Sequence, residues 1–215
     1  SESTVRRDLD ELESENKLRR VHGGAELPHS LQEEETIQEK SVKNLQEKKL
    51  IAQKASSLIK EKDVIFVDAG STTAFLIKEF ERKDITVVTN SIHHAVQLVD
   101  KQIPTVIIGG GVKMTTDASI GGVALNQINQ LHFDRAFIGM NGVDEGYFTT
   151  PDMEEGAVKR AILENAKQTY VLADSSKLGQ SCFAKVAPIK RAIVITSKGH
   201  ELLPAIKEKT EVIEV

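Results

Sequence analysis

Val64-Ile65-Phe66-Val67-Asp68-Ala69-Gly70-Ser71-Thr72-Thr73-Ala74 passes from an apolar run to a small polar loop, and Phe75 to Phe80 then reads as helix. Four uninterrupted apolar residues suit a strand covered on both faces. A buried strand that turns through a short loop into a helix is the repeating unit of a parallel α/β sheet. The same grammar recurs at Ile85 to Val88, Val106 to Ile108, Ala136 to Ile138, Tyr170 to Leu172 and Ala192 to Ile195, with helix-length segments between. The expected fold class is α/β, a mainly parallel sheet covered by helices.

In such sheets ligands bind beyond the carboxyl ends of the strands, so the loops that follow the strands carry the expected chemistry. The loop after Val67 is suited to an anion. Gly70 permits close backbone approach, the first N–H groups of the helix point outward, and Ser71, Thr72 and Thr73 add hydroxyl donors. A capped helix with no ligand would use the same residues. Asp68 repels a phosphate but accepts hydrogen bonds from neutral hydroxyls, so it is assigned to a sugar hydroxyl and not to a metal.

The other strand ends supply Thr89-Asn90-Ser91, Gly109-Gly110-Gly111, Gly139-Met140-Asn141-Gly142 and Asp174-Ser175-Ser176-Lys177. Each alone is explained by a turn. Together they give one rim of one sheet the amides, hydroxyls and lysine that a polar phosphorylated molecule requires. Lys177 is either a point charge for phosphate or a solvated surface lysine. The segment after Pro151 opens a helix with acids that serve as caps, and one of Glu154 or Glu155 is expected to face the pocket.

Composition removes several classes. With 215 residues and 40% hydrophobic content the chain can bury a core. A net charge of −4 makes any nucleic-acid contact local. The single cysteine, Cys182, excludes an internal disulfide and reads as a small buried hydrophobe. No run approaches the roughly 20 apolar residues of a membrane span, and no apolar signal core opens the sequence, so a cytoplasmic location is expected. Neither G-x-G-x-x-G nor G-x-x-x-x-G-K-[ST] occurs, which removes motif support for dinucleotide or nucleoside triphosphate chemistry. The six histidines lack ligand spacing, adjacent His93 and His94 point apart on a helix, and no metal or cofactor is expected.

Before the sheet, Val5, Leu9 and Leu12 repeat at helical spacing behind a serine cap, and Lys17 to Val21 alternates toward Gly23-Gly24, as a strand and turn. Residues 25–34 read as a linker, and Glu35 to Lys60 as one long helix with Leu45, Ile51, Ala55, Leu58 and Ile59 on one side.

Ser3-Thr4-Val5-Arg6-Arg7-Asp8-Leu9 followed by Arg20-Val21-His22-Gly23-Gly24-Ala25 resembles the end of the winged helix-turn-helix of DeoR-family regulators. The resemblance continues through Lys49-Leu50-Ile51-Ala52, Asp68-Ala69-Gly70-Ser71-Thr72, Thr89-Asn90, Phe137-Ile138-Gly139-Met140-Asn141-Gly142 and Asp174-Ser175-Ser176-Lys177-Leu178-Gly179, essentially the whole chain. It implies an effector domain similar to ribose-5-phosphate isomerases and glucosamine-phosphate deaminases. It also implies that Ser1 to Glu13 is the recognition helix, with Ser3, Thr4, Arg6 and Arg7 as DNA contacts and Arg20 and His22, with Arg19 nearby, on the wing. Composition alone would make these arginines an exposed face. In the pocket it implies Asp68, Gly70, Ser71, Thr72, Thr73, Asn90, Asn141, Gly142 and Lys177 as effector contacts, with Glu155 and Lys159 beside them; Gly110, Gly139 and Asp174 complete the candidate set. Family members carry two helices before the recognition helix, and the sequence begins without them, so residues 1–24 are expected not to form a stable DNA-binding domain alone. Gly156, where the family prefers alanine, is expected to cost its helix up to ~1 kcal/mol.

The expected organisation is the end of a winged helix-turn-helix at 1–24, a linker at 25–34 and a sugar-phosphate-sensing domain at 35–215. The expected function is a DNA-binding regulator, a repressor of a carbohydrate operon, whose effector is a sugar phosphate such as a ketose monophosphate. Operator DNA is the expected partner, and the chain is expected to be a non-enzymatic homo-oligomer. Two alternatives remain: a sugar-phosphate isomerase or deaminase using Asp68, Glu154, Glu155, Asp174 and Lys177, and a pure oligomerisation domain.

Overall fold

The computed structural model describes the chain except residues 1, 15–17, 22–23 and 27–29. It divides into two compact units, Ser1–Glu33 and Glu34–Val215.

The first unit holds α1 (Glu2–Ser14), β1 (Arg19–Val21) and β2 (Gly24–Glu26). β1 and β2 form an antiparallel pair that sets Arg20 opposite Ala25 and Arg19 opposite Glu26. This pairing satisfies backbone groups of Ala25 and Glu26, so two residues expected in the linker belong to a strand.

The second unit begins with α2 (Ile37–Ser41) and α3 (Leu45–Ser56). The single helix expected over Glu35 to Lys60 is therefore two. Thr36 and Glu39 form a reciprocal capping box that starts α2. Asn44 adopts a left-handed conformation, φ 53°, and breaks the run. Asparagine tolerates that region, and its side-chain Nδ2 donates to Asp174 Oδ1 at 2.8 Å.

The chain then continues through β3 (Val64–Val67), α4 (Ser71–Lys78), β4 (Thr86–Thr89), α5 (Ile92–Asp100) and β5 (Thr105–Ile107). Next come β6 (Gly111–Lys113), β7 (Ala118–Ile120), α6 (Gly121–Ile128), β8 (Phe133–Gly139), β9 (Gly142–Val143) and β10 (Tyr147–Thr150). It ends with α7 (Met153–Asn165), β11 (Ala166–Leu172), β12 (Ala184–Pro188), β13 (Ile193–Thr196), α8 (Leu203–Lys207) and β14 (Val212–Glu214).

Seven strands form one sheet in the order β14-β13-β11-β8-β3-β4-β5, and every neighbouring pair in it is parallel. Successive residues of β3 explain the unbroken apolar runs. Phe66 enters one core with Val88, Phe133, Ile138, Val158 and Ile162, whereas Ile65 and Val67 enter the other with Ile51, Ala55, Leu76, Ile77 and Leu98. The chain builds outward from β3 to β5 and then returns to place β8 on the other side of β3. That reversal creates a crevice at the carboxyl ends of β3 and β8.

Short antiparallel pieces decorate this frame: β6 pairs with β7, and β10 lies between β9 and β12. These strands, and β14, were not expected. Cys182, expected buried, is half-buried, with its N–H donating to Thr149 Oγ1 at 2.9 Å. Among the described residues no helix is long and apolar enough to cross a membrane.

Candidate functional site

The crevice opens into a cavity at the end of the sheet. β3 delivers Asp68 to Thr72, β4 delivers Asn90, β8 delivers Gly139 to Asn141, and β11 delivers Asp174 with Lys177 beyond it. α7 adds Glu155 and Lys159.

The loop after β3 is held open from beneath. Asn90 Oδ1 accepts from Ala69 N at 2.9 Å, and Thr73 Oγ1 donates to Gly70 O at 2.9 Å. A Cβ on Gly70 would lie 3.1 Å from that Thr73 hydroxyl, so glycine permits the brace. No side chain caps α4, and among the described residues no protein acceptor takes the N–H groups of Ser71, Thr72 or Thr73. Uncapped donors at the positive end of a helix bind anions. Lys177 reaches the same cavity, and no carboxylate among the described residues pairs with it.

Asp68 has a protein partner that was not expected. Its Oδ2 lies 2.5 Å from Lys159 Nζ and accepts from Gly139 N at 3.3 Å, so this oxygen is already committed to the protein. Burial pushes the Asp68 carboxyl up, opposed by Lys159. Burial would lower Lys159, but Asp68 and Glu155 outweigh it and hold the ammonium above its ordinary value. No donor among the described residues reaches Oδ1.

Glu155 faces the cavity and accepts from Thr116 Oγ1 at 2.5 Å, whereas Glu154 is exposed. Gly156 makes this possible. A Cβ there would meet Thr150 Cγ2 at 3.3 Å and Ala184 Cβ at 3.5 Å, so glycine lets α7 close against β10 and β12. Asp174 is buried and works mainly as a brace, accepting from Asn44 Nδ2, from Ser176 N at 3.1 Å and from Ser176 Oγ. Asn141 Oδ1 accepts from Thr150 Oγ1 at 3.1 Å.

Eleven of the expected effector residues line the cavity: Asp68, Gly70, Ser71, Thr72, Asn90, Gly139, Asn141, Glu155, Lys159, Asp174 and Lys177. Three do not. Thr73 is fully buried beneath the loop it braces. Gly110 lies at the approach to β6 with φ +149°, where a Cβ would stand 2.6 Å from Ile120 O. A Cβ on Gly142 would collide with Gln180 O and Thr149 Oγ1. The last two are glycines for packing reasons.

Glu34, Lys40 and Thr116 also line the cavity, and no local pattern announced them. Glu34 sits 3.5 Å from Lys40 Nζ and bonds Lys113 Nζ; Lys113 also lies 3.0 Å from Asp152 and 3.5 Å from Glu155. Burial lowers Lys40 despite Glu34 and Glu155. Behind them Lys48 Nζ donates to Lys40 O and lies 4.0 Å from Asp174.

In the first unit, Ser3, Thr4, Arg6 and Arg7 lie on exposed positions of α1, and Arg20 lies in β1. His22, expected on the wing, falls outside the described residues.

Residues 43–198 match the DeoR C terminal sensor domain, and residues 1–31 match the DeoR-like helix-turn-helix domain. An uncharacterized HTH-type transcriptional regulator FruR of Bacillus subtilis (strain 168) is 46% identical over 215 residues, 99% of this chain and 86% of that protein. A lactose phosphotransferase system repressor of Staphylococcus epidermidis (strain ATCC 35984) is 33% identical over 218 residues, 100% of this chain and 85% of that protein. Among solved structures, eIF2B beta from Chaetomium thermophilum shares the fold at a TM-score of 0.50 and 15% identity, over 78% of this chain and 54% of that one. Ribose 5-phosphate isomerase A from Methanocaldococcus jannaschii aligns at a TM-score of 0.47 and 22% identity, over 63% of this chain and 55% of that one. With both of its segments matched and a relative this similar along nearly its whole length, the chain belongs to the DeoR family of transcriptional regulators.

Proposed function

We propose that the protein is a cytoplasmic repressor of a carbohydrate-utilisation operon whose affinity for operator DNA is set by a phosphorylated sugar in the cavity of the second unit. The observation that carries this reading is the uncapped start of α4 in one cavity with Lys177, which has no ion-pair partner among the described residues, facing a rim of carboxylates and amides. The N–H groups and the lysine suit a phosphate, and Asp68 Oδ1, Asn90 and Asn141 suit sugar hydroxyls. Two relatives carry the names FruR and lactose phosphotransferase system repressor, which favours a sugar-derived signal. The residues implied as DNA contacts are Ser3, Thr4, Arg6, Arg7, Arg20 and His22.

Binding, and not turnover, is the role the carboxylates support. Asp68 is paired with Lys159 and Glu155 with Thr116, so neither stands ready as a general base. A homo-oligomer is supported by the apolar side chains left exposed on α5 and on the same face of the edge strand β5, Ile92, Val96, Val99 and Ile107. Isolated exposed aliphatic side chains are ordinary, but three at i, i+4 and i+7 on one helix, with a fourth on the adjoining edge strand, form a patch.

The test is a thermal-shift panel of sugar phosphates, free sugars and inorganic phosphate, followed by operator binding with the full-length protein and the active compound. A shift given by sugar phosphates and not by free sugars, accompanied by loss of operator affinity, is expected. A shift from free sugars alone, or turnover of the sugar phosphate, overturns the reading.

A further inference from the structure

Glu34 is the first residue of the second unit, and it does not point into solvent. Its carboxylate is 9% exposed, lines the cavity, and is shared between Lys40 and Lys113. Just after it, Ile37 N donates to Thr115 O at 2.8 Å, which fastens the segment to the turn between β6 and β7. Ile37 and Lys40 line the same cavity as Ser71, Thr72 and Lys177. The start of this unit is thus one wall of the cavity, and a protein carboxylate already occupies an anion position inside it.

The two lysines holding Glu34 differ in what each keeps if it leaves. Lys113 retains Asp152 and Glu155. Lys40 retains no carboxylate among its ion pairs in the described residues and is largely buried, a costly situation for an ammonium. Glu34 therefore cannot simply depart; Lys40 needs another anion in exchange. A phosphate carrying roughly −1.5 to −2 charges is a stronger partner than a carboxylate and repels Glu34 as it enters.

We propose that Glu34 is an anionic pin that closes the effector-free cavity, and that the effector's phosphate displaces it by taking over Lys40. Occupancy then frees residues 34–41, the point at which the first unit is joined to the second. This rests on the phosphorylated-effector reading, which it deepens by assigning Lys40 as a phosphate ligand.

The experiment is amide hydrogen exchange on the full chain, with inorganic phosphate and a panel of hexose monophosphates as probes and potassium chloride at matched ionic strength as the control. For the wild type, a probe is expected to slow exchange at residues 71–74 and to speed it at least tenfold at residues 37–41. Glu34→Gln is expected to exchange rapidly at 37–41 without any probe and to bind the same probe several-fold more tightly. Protection at 71–74 with unchanged or slower exchange at 37–41 overturns the pin while leaving the effector site in place. Slow exchange at 37–41 in probe-free Glu34→Gln overturns it as well. No response at 71–74 to any probe removes the phosphate site and the pin together.

Discussion

Lys159 Nζ and Asp68 Oδ2 form a buried ion pair at 2.5 Å between residues ninety-one positions apart in the chain, one on α7 and one at the end of β3. It ties a helix of one core to a strand end beside the crevice. Removing one partner leaves a buried charge uncompensated, so Lys159→Met is expected to destabilise the protein by about 3–5 kcal/mol. Asp68→Asn combined with Lys159→Met should recover a large part of that loss. Urea denaturation of the two single variants and the double variant measures the coupling, and additive losses would contradict it.

Lys177 has the opposite character: it lines the cavity without an ion-pair partner among the described residues. Lys177→Ala is expected to change stability by no more than ~0.5 kcal/mol. Its sugar-phosphate affinity should fall roughly 10- to 100-fold, the worth of a hydrogen bond to a charged group. Titration calorimetry beside thermal unfolding separates the two effects.

Gly142 tests packing against binding. Because a Cβ there meets Gln180 O and Thr149 Oγ1, Gly142→Ala is expected to cost about 1–3 kcal/mol through overpacking. Effector affinity, measured well below the unfolding transition, should stay within a few-fold of wild type. A variant of unchanged stability with lost affinity would return Gly142 to the site.

His94 predicts a pH dependence. The ring is 2% exposed, its Nδ1 lacks a partner, and burial lowers its pKa to about 4 from 6.5, against a hydrogen bond to the Gly70 backbone and with His93 adding a small repulsion. The fold thus favours the neutral ring. Its contribution is complete above pH 6.5 and is lost as pH falls from 6.5 toward about 4, by up to roughly 3 kcal/mol. His94→Gln should show a shallower loss over that interval in denaturation midpoints. Parallel curves for the two proteins would remove His94 as the source.

The patch on α5 and β5 predicts that Val96→Glu together with Ile107→Lys lowers the molar mass found by light scattering. An unchanged mass would place any interface elsewhere.

The central sheet was legible because burial on both faces leaves apolar runs that survive without context, as at Val64 to Val67 and Ala192 to Ile195. The place of Gly70 to Thr72 at the cavity was legible because a strand, a short polar loop and a helix start follow one another locally in sequence. The pairing of Asp68 was not, since its partner Lys159 is set by tertiary packing and no local pattern announces it. Gly110 and Gly142 looked like site glycines because a glycine kept for close packing and one kept for ligand approach read alike. The break at Asn44 and the short hairpin β6–β7 were hidden for a related reason: each depends on distant contacts, Asp174 in one case and Ile37 in the other.

The cavity draws on both halves of the sheet, from Glu34 to Lys177, so it exists only after β8 has paired with β3 and β11 with β8. During synthesis the DNA-binding end leaves the ribosome first, and at about 5–20 residues per second Lys177 follows roughly ten seconds or more behind. A nascent chain is therefore blind to its signal for that interval, and only finished molecules can respond.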